Sequence, residues 1–276
     1  MEPIYEKRGY LDESFRLFHI KDTQPVRPDF HYHEFHKVVL FIKGSGQYTV
    51  EGKHYTPSPW DIILVPRGCV HRPDMEGEYE RIVIYLSPEY LKNSSGDGCE
   101  LDRCFNDALS SYNYLLRPTE QQKRITQDMV KKLEDAVSGG EYGDELNSKL
   151  LLMQLMIELG RGIFDRTGTM GGGPSYNEKT VSIIKYINDN LTGDVTIDSL
   201  AERFFISKYH MMRSFKEQTG YSIHSYISNK RLLLARELIA SGENATNACY
   251  ACGFHDYSAF SRAYKKQFNE PPARRH

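Results

Sequence analysis

The stretch Asp198–Gly220, DSLAERFFISKYHMMRSFKEQTG, decides the fold of the C-terminal part. Leu200, Ala201 and Phe204 recur at helical spacing and give one short helix an apolar face. A tight turn is expected at Phe205 and Ile206, and Ser207 stands where its hydroxyl caps the next helix. That second helix buries Met211 and Phe215 and presents Lys208, Tyr209, His210, Met212 and Arg213 on its leading turns. Two short helices joined in this way, with polar side chains leading the second, have the shape that the major groove of DNA admits.

The same arrangement returns downstream. An offset of 49 residues pairs Arg213 with Arg262, and also Met211 with Phe260, Phe215 with Tyr264, Lys216 with Lys265 and Gln218 with Gln267. A generic helical bundle with solvated charges does not repeat its turn chemistry at a fixed offset. A rigid helix over ISNKRLLLARELIAS between the two units sets two reading helices about 34 Å apart, in successive major grooves.

Outward from this repeat, VSIIKYINDNL, IDSLAERFF, HMMRSFKEQ and AFSRAYKKQF are short and periodic, and they predict a bundle of about seven helices over residues 176–276. The overall charge of −2 hides an asymmetry: residues 176–276 hold 14 basic against 10 acidic residues, the remainder 21 against 27. A polyanion therefore prefers the C-terminal part. Residues 166–175, RTGTMGGGPS, have the composition of a flexible interdomain linker. Before them, KVVLFIKG, GQYTVEGKHYT, DIILVPRG and YERIVIYLS read as strands of a barrel over about 15–91. Two helices follow over about 119–164, one carrying Ile125, Met129, Leu133 and Val137, the other Leu146, Leu150, Met153, Ile157 and Phe164. The fold class expected is α+β and multidomain: a β-barrel with packed helices over 1–165, then an all-α bundle with two helix-turn-helix motifs. Five cysteines without a dense framework and no apolar run near about 20 residues point to a reduced, cytoplasmic chain with no membrane partner.

LAERF, SKYHMMRSFKEQTG, KRLLLAREL, GFHDYSAFSRAYKKQF and the final PP closely resemble the AraC/XylS family of bacterial regulators. The resemblance implies a DNA-binding regulator whose recognition helices are the second and sixth of the bundle. By motif position it implies that Tyr209, Met212 and Arg213, and then Tyr257, Ser258, Ser261 and Arg262, read bases, since arginine bonds bidentately to guanine and aromatic or Met side chains touch a thymine methyl. Lys208, Lys216, Lys265 and Lys266 are expected to hold phosphates. At ATNACYACGF the chain departs from the family, with Ala245, Ala248, Cys249 and Cys252 where larger aliphatics are usual. A loosely packed second unit and a weaker, more conditional DNA contact are expected there. Cys249 and Cys252 lie on one buried helix face, with no second Cys or His pair to complete a zinc site.

HYHEFHKVV, GSGQYTVEGKHY and DIILVPRGCVH resemble the cupin-like sensor barrel of sugar-responsive members. Cupin enzymes hold a metal through two His and a Glu, then a further His. Here His31, His33 and His71 stand near those positions, but Lys37 replaces the Glu, and an ammonium has no lone pair to donate. No metal or other cofactor is expected; a three-histidine site using His36 is the alternative. A small-molecule pocket for an effector, in particular a sugar, is expected around His31, His33, Tyr48, Trp60 and His71. Leu146, Leu150, Met153 and Ile157 are expected to bring two copies together, in a segment that Leu151, Leu152 and Leu155 make apolar nearly all round and largely buried. The functional expectation is an effector-responsive activator of carbohydrate or related metabolic genes, with no enzymatic activity. The competing reading is a cupin-type metal-dependent enzyme with an accessory helical domain.

Overall fold

The computed structural model describes residues 11–96, 98–161 and 178–273, together with the backbone of 6–7. The expected linker at 166–175, the domain border at 176 and Phe164 lie outside the described residues. The chain divides into two compact units, one of Lys7–Ser175 and the other of Tyr176–His276 together with Met1–Glu6.

The first unit runs β1 (Glu6–Lys7), β2 (Phe15–Asp22), β3 (His31–Tyr32), β4 (His36–Lys43), β5 (Gly46–Val50), β6 (Lys53–Tyr55), β7 (Ile62–Val65), β8 (His71–Met75), β9 (Tyr79–Leu86), α1 (Pro88–Ser94), α2 (Arg103–Ser111), β10 (Leu115–Leu116), α3 (Glu120–Ser138) and α4 (Asp144–Gly160). The strands form two five-stranded sheets, ordered β1-β3-β8-β5-β6 and β10-β7-β4-β9-β2. In β4, six successive residues from His36 to Phe41 are buried, because the strand is covered on both faces. His36, Val38 and Leu40 point to one side, where the ring of His36 stacks on Phe105 of α2 at 4.2 Å. Lys37, Val39 and Phe41 point to the other.

The sheet extends beyond the expected limit at residue 91. β10 pairs with β7 through Leu115 and Leu116 after α1 and α2 have intervened; a two-residue strand has no periodicity to read. α3 begins at a capping box in which Thr119 and Gln122 satisfy each other's backbone N–H groups. Its buried face is Thr126, Val130, Leu133 and Ala136, so of the expected stripe Ile125 and Val137 are exposed. α4 buries Leu152, Leu155, Met156 and Leu159 but exposes Leu146 and Leu150, so the segment is not buried all round.

The second unit runs α5 (Glu178–Asp189), α6 (Ile197–Arg203), α7 (Lys208–Thr219), α8 (Ile223–Ala240), α9 (Ala245–Ala251) and α10 (Tyr257–Phe268). Six helices stand among the described residues where about seven were expected, and α7 is the third of them rather than the second. Each helix from α6 to α10 starts at a side-chain cap: Thr196, Ser207, Ser222, Asn244 and Asp256 each accept from a backbone N–H three residues on. No helix among the described residues is long and apolar enough to cross a membrane.

The internal repeat is nearly regular in backbone as well as in sequence. α6 and α9 are offset by 48 residues and α7 and α10 by 49, so the second turn is one residue longer. Phe205 and Gly253 occupy the same left-handed position of the two turns, with φ of 50° and 83°. A Cβ at Gly253 would lie 2.8 Å from the carbonyl oxygen of Thr192, so glycine is required there on two counts.

The small residues of the second unit sit in a buried core. Ala248, Cys249 and Cys252 are fully buried and cluster with Leu232, Ile239, Phe260 and Tyr264. Phe254, Phe260, Tyr264 and Phe268 form a chain of ring contacts with centroids 4.6 to 5.6 Å apart. These aromatic rings cluster around the small residues. Burial raises both thiols, Cys252 to about 12, which keeps them protonated and poor metal ligands.

Candidate functional site

On α7, Met211, Ser214 and Phe215 face inward, while Lys208, Tyr209, Met212, Arg213 and Lys216 share the exposed face. On α10, Phe260 and Tyr264 face inward. Tyr257, Ser258, Arg262 and Lys265 are exposed, with Ser261 half-buried on the same side. Helical geometry thus brings five candidate side chains of each unit onto one outward surface. Lys266 is exposed one position further round. Lys216, Lys265 and Lys266 lie in the last turns of their helices, where a cation also complements the helix dipole.

The two surfaces differ in their charge partners. Arg213 donates from Nε to Oε1 of Glu217 at 2.9 Å, and Glu217 is the first cause of its raised pKa. Lys208 Nζ stands 2.7 Å from Asp198 of α6. The position matching Glu217 in the second unit is Lys266. Arg262, Lys265 and Lys266 make no ion pair among the described residues. The second surface therefore offers three unneutralised cations and the first only Lys216.

In the barrel, a cavity of about 80 Å³ lies between the sheets, bordered by Lys37 and Val39 of β4, Tyr48 of β5, and Tyr79, Arg81 and Tyr85 of β9. Of the expected effector residues, Tyr48 lines it and His71 stands beside it, with Nε2 3.4 Å from Lys37 Nζ. His31 and His33 gather against His71, their rings 4.4 and 4.8 Å from it. Trp60 is not among the lining residues. Its backbone adopts φ 68°, in the left-handed region that favours glycine, and its ring packs against the apolar core.

His31, His33 and His71 are buried, with one nitrogen of each within 4.8 Å of the others. His36 is not part of the group, because it lies on the opposite face of β4, where its Nδ1 accepts from the backbone N–H of Arg67. Burial, then Arg67, lower the pKa of His36 to about 3. The trio does not fit a resident divalent cation. His71 Nδ1 faces the carbonyl of Cys69 at 3.1 Å and must carry the hydrogen, so its one lone pair is on Nε2, the atom that Lys37 approaches. Arg81 brings a second positive charge to the same cavity, and no carboxylate lines it. Burial, with Lys37 and the two neighbouring imidazoles, holds His71 neutral, its pKa well below the usual value.

Residues 14–156 match the family model described as an AraC-like ligand binding domain, and residues 200–275 match a helix-turn-helix domain. The chain belongs to the AraC family of transcriptional regulators. Relatives of this AraC-family chain include the HTH-type transcriptional activator RhaS of Escherichia fergusonii, 25% identical over 244 residues that cover 88% of this chain and 85% of that protein. Among solved structures, ToxT of Vibrio cholerae aligns over 94% of this chain and 96% of that one at 15% identity and a TM-score of 0.36. The DNA-binding domain of AdpA in complex with a target DNA aligns over 34% of this chain and 86% of its own, at 20% identity and a TM-score of 0.33.

Three residues of this AraC-family regulator escape sequence reasoning. Arg231 of α8 donates to the carbonyls of Leu191, Gly193 and Gly253 at 2.7 to 2.8 Å, tying the loop before α6 to the turn of the second helix-turn-helix. Glu217 neutralises a proposed reader. Arg81 enters the cavity from YERIVIYLS, where alternation along β9 alone signals its direction.

Proposed function

We propose that this AraC-family regulator is an effector-responsive activator that acts in the cytoplasm on carbohydrate or related metabolic genes, without enzymatic activity of its own. The paired exposed surfaces on α7 and α10, repeated at a 49-residue offset, carry this reading. In it, Tyr209, Met212, Arg213, Tyr257, Ser258, Ser261 and Arg262 read bases, while Lys208, Lys216, Lys265 and Lys266 hold phosphates. Residues 1–165 sense the effector and dimerise, and 166–175 link them to the DNA-binding residues 176–276. The activator name of the RhaS relatives supports the direction of regulation. The exposed Leu146 and Leu150, continued by half-buried Met153 and Ile157 along one side of α4, support a homodimer.

Gel-shift titration of the full chain at several salt concentrations tests the roles. Arg213→Ala should weaken specific binding roughly ten- to hundredfold and relax sequence preference, whereas Lys265→Ala should weaken specific and random DNA alike and flatten the salt dependence. Equal losses on both DNAs for both variants refute the assignment.

A further inference from the structure

We propose that the barrel cavity is built for a monoanion, the carboxylate of the effector, held by Lys37, Arg81 and the hydroxyl of Tyr48. The inference rests on the sensor reading above and names the chemical class that the sensor takes.

Three observations meet at this site. Lys37 is buried at 9% exposure and makes no ion pair among the described residues; its polar neighbour is the neutral His71. The hydroxyl of Tyr48, a residue 1% exposed that lines the cavity, has no hydrogen-bond partner among the described residues. Arg81 faces the cavity from β9 while pairing with Asp22. A buried ammonium with no counter-charge and a buried phenol with no acceptor are both costly arrangements, and a shared anion relieves both.

The net charge selects the ligand. Lys37 and Arg81 supply two positive charges and Asp22 offsets one, so a single negative charge balances the site. A carboxylate brings that charge on two oxygens with about four lone-pair positions, enough for Lys37, Arg81 and Tyr48 together. A phosphate dianion leaves excess negative charge in an apolar wall of Ile20, Val39 and Val83. A neutral sugar leaves Lys37 unpaired.

Sodium glycolate is the probe, titrated into the full chain at constant ionic strength, with glycolamide and inorganic phosphate as controls and heat release and melting temperature as readouts. Glycolate is expected to bind saturably and raise the melting temperature, while glycolamide and phosphate do neither. Lys37→Met should weaken glycolate by roughly tenfold or more, and Tyr48→Phe by a smaller factor. Binding by glycolamide or phosphate as strong as by glycolate overturns the proposal. So does the absence of saturable glycolate binding, or unchanged binding in a folded Lys37→Met protein. If glycolate binds through Lys37 while no carboxylate alters operator binding, the anion site stands and the sensor reading falls.

Discussion

Replacing Lys37 by Met should stabilise the barrel, and the gain should shrink as pH rises. Burial, then the positive field of Arg81, lower the Lys37 pKa from its ordinary 10.5 to about 7. Between these values the unfolded chain binds a proton that the folded chain does not, so the stability of the wild type rises with pH across that window. At pH 7 nearly the whole penalty is present, about 4 kcal/mol, and by pH 9 about 2 kcal/mol remains. Met has the volume to fill the site, and losing the hydrogen bond to His71 costs about 1 kcal/mol. The variant should therefore exceed the wild type by about 3 kcal/mol at pH 7 and about 1 kcal/mol at pH 9. His71 on β8, Arg81, Tyr79 and Tyr85 on β9, and Tyr48 on β5 face this group; burial, the first cause of the lowered His71 pKa, remains in the variant and keeps that imidazole neutral, while the Lys37 contribution to the shift is lost. Urea unfolding followed through Trp60, the only tryptophan and part of the barrel core, reports on this unit alone. A variant no more stable than the wild type at pH 7, or a margin equal at both pH values, refutes the assignment of a buried, unpaired ammonium.

Glu217→Gln should free Arg213 and strengthen operator binding several-fold, an effect that high salt diminishes; no change in affinity at low salt would count against the ion pair as a restraint. Arg231→Ala should destabilise the second helix-turn-helix by about 2 kcal/mol, because three carbonyls lose a charged donor. Hydrogen exchange should then quicken in α9 and α10 more than in α7, and equal acceleration throughout would refute the role as a tie. Leu146→Glu with Leu150→Glu should convert a dimer to a folded monomer in sedimentation, and an unchanged dimer would place the interface elsewhere.

The repeated units were legible because their signals are local: a cap, a turn and an apolar pair at fixed spacing. Ser207 caps α7, and Met211 and Phe215 are buried as the pattern requires. What escaped was set by tertiary partners. His36 and Lys37 are neighbours in sequence, yet strand alternation sends one to Phe105 of α2 and the other to His71, so a metal reading that weighed them together had no access to the face each occupies. α1, α2 and β10 are too short to show a period. At Ala248 and Cys252 side-chain size was judged without the Phe254, Phe260, Tyr264 and Phe268 rings that belong to the same cluster, because sequence does not show which rings neighbour a small residue.

The charge distribution changes how the two reading heads should divide their labour. A core thinned by alanine and cysteine pointed to a weak second contact, whereas the charge distribution argues for a strong one. α10 carries Arg262, Lys265 and Lys266 with no acidic residue in the helix, and its turn is fixed by Arg231. α7 must release Arg213 from Glu217 and Lys208 from Asp198 before either meets DNA. Counterion release scales with the cations free to engage phosphate, so the second unit should set the salt-dependent affinity. The first, exchanging an intramolecular ion pair for a base contact, gains only where the base is right and so should set sequence preference. Swapping Glu217 and Lys266 between the two units is the direct test: the salt slope should stay nearly constant while the half-site that tolerates substitution changes. If tolerance stays with the same half-site, the ion pairs do not govern the division.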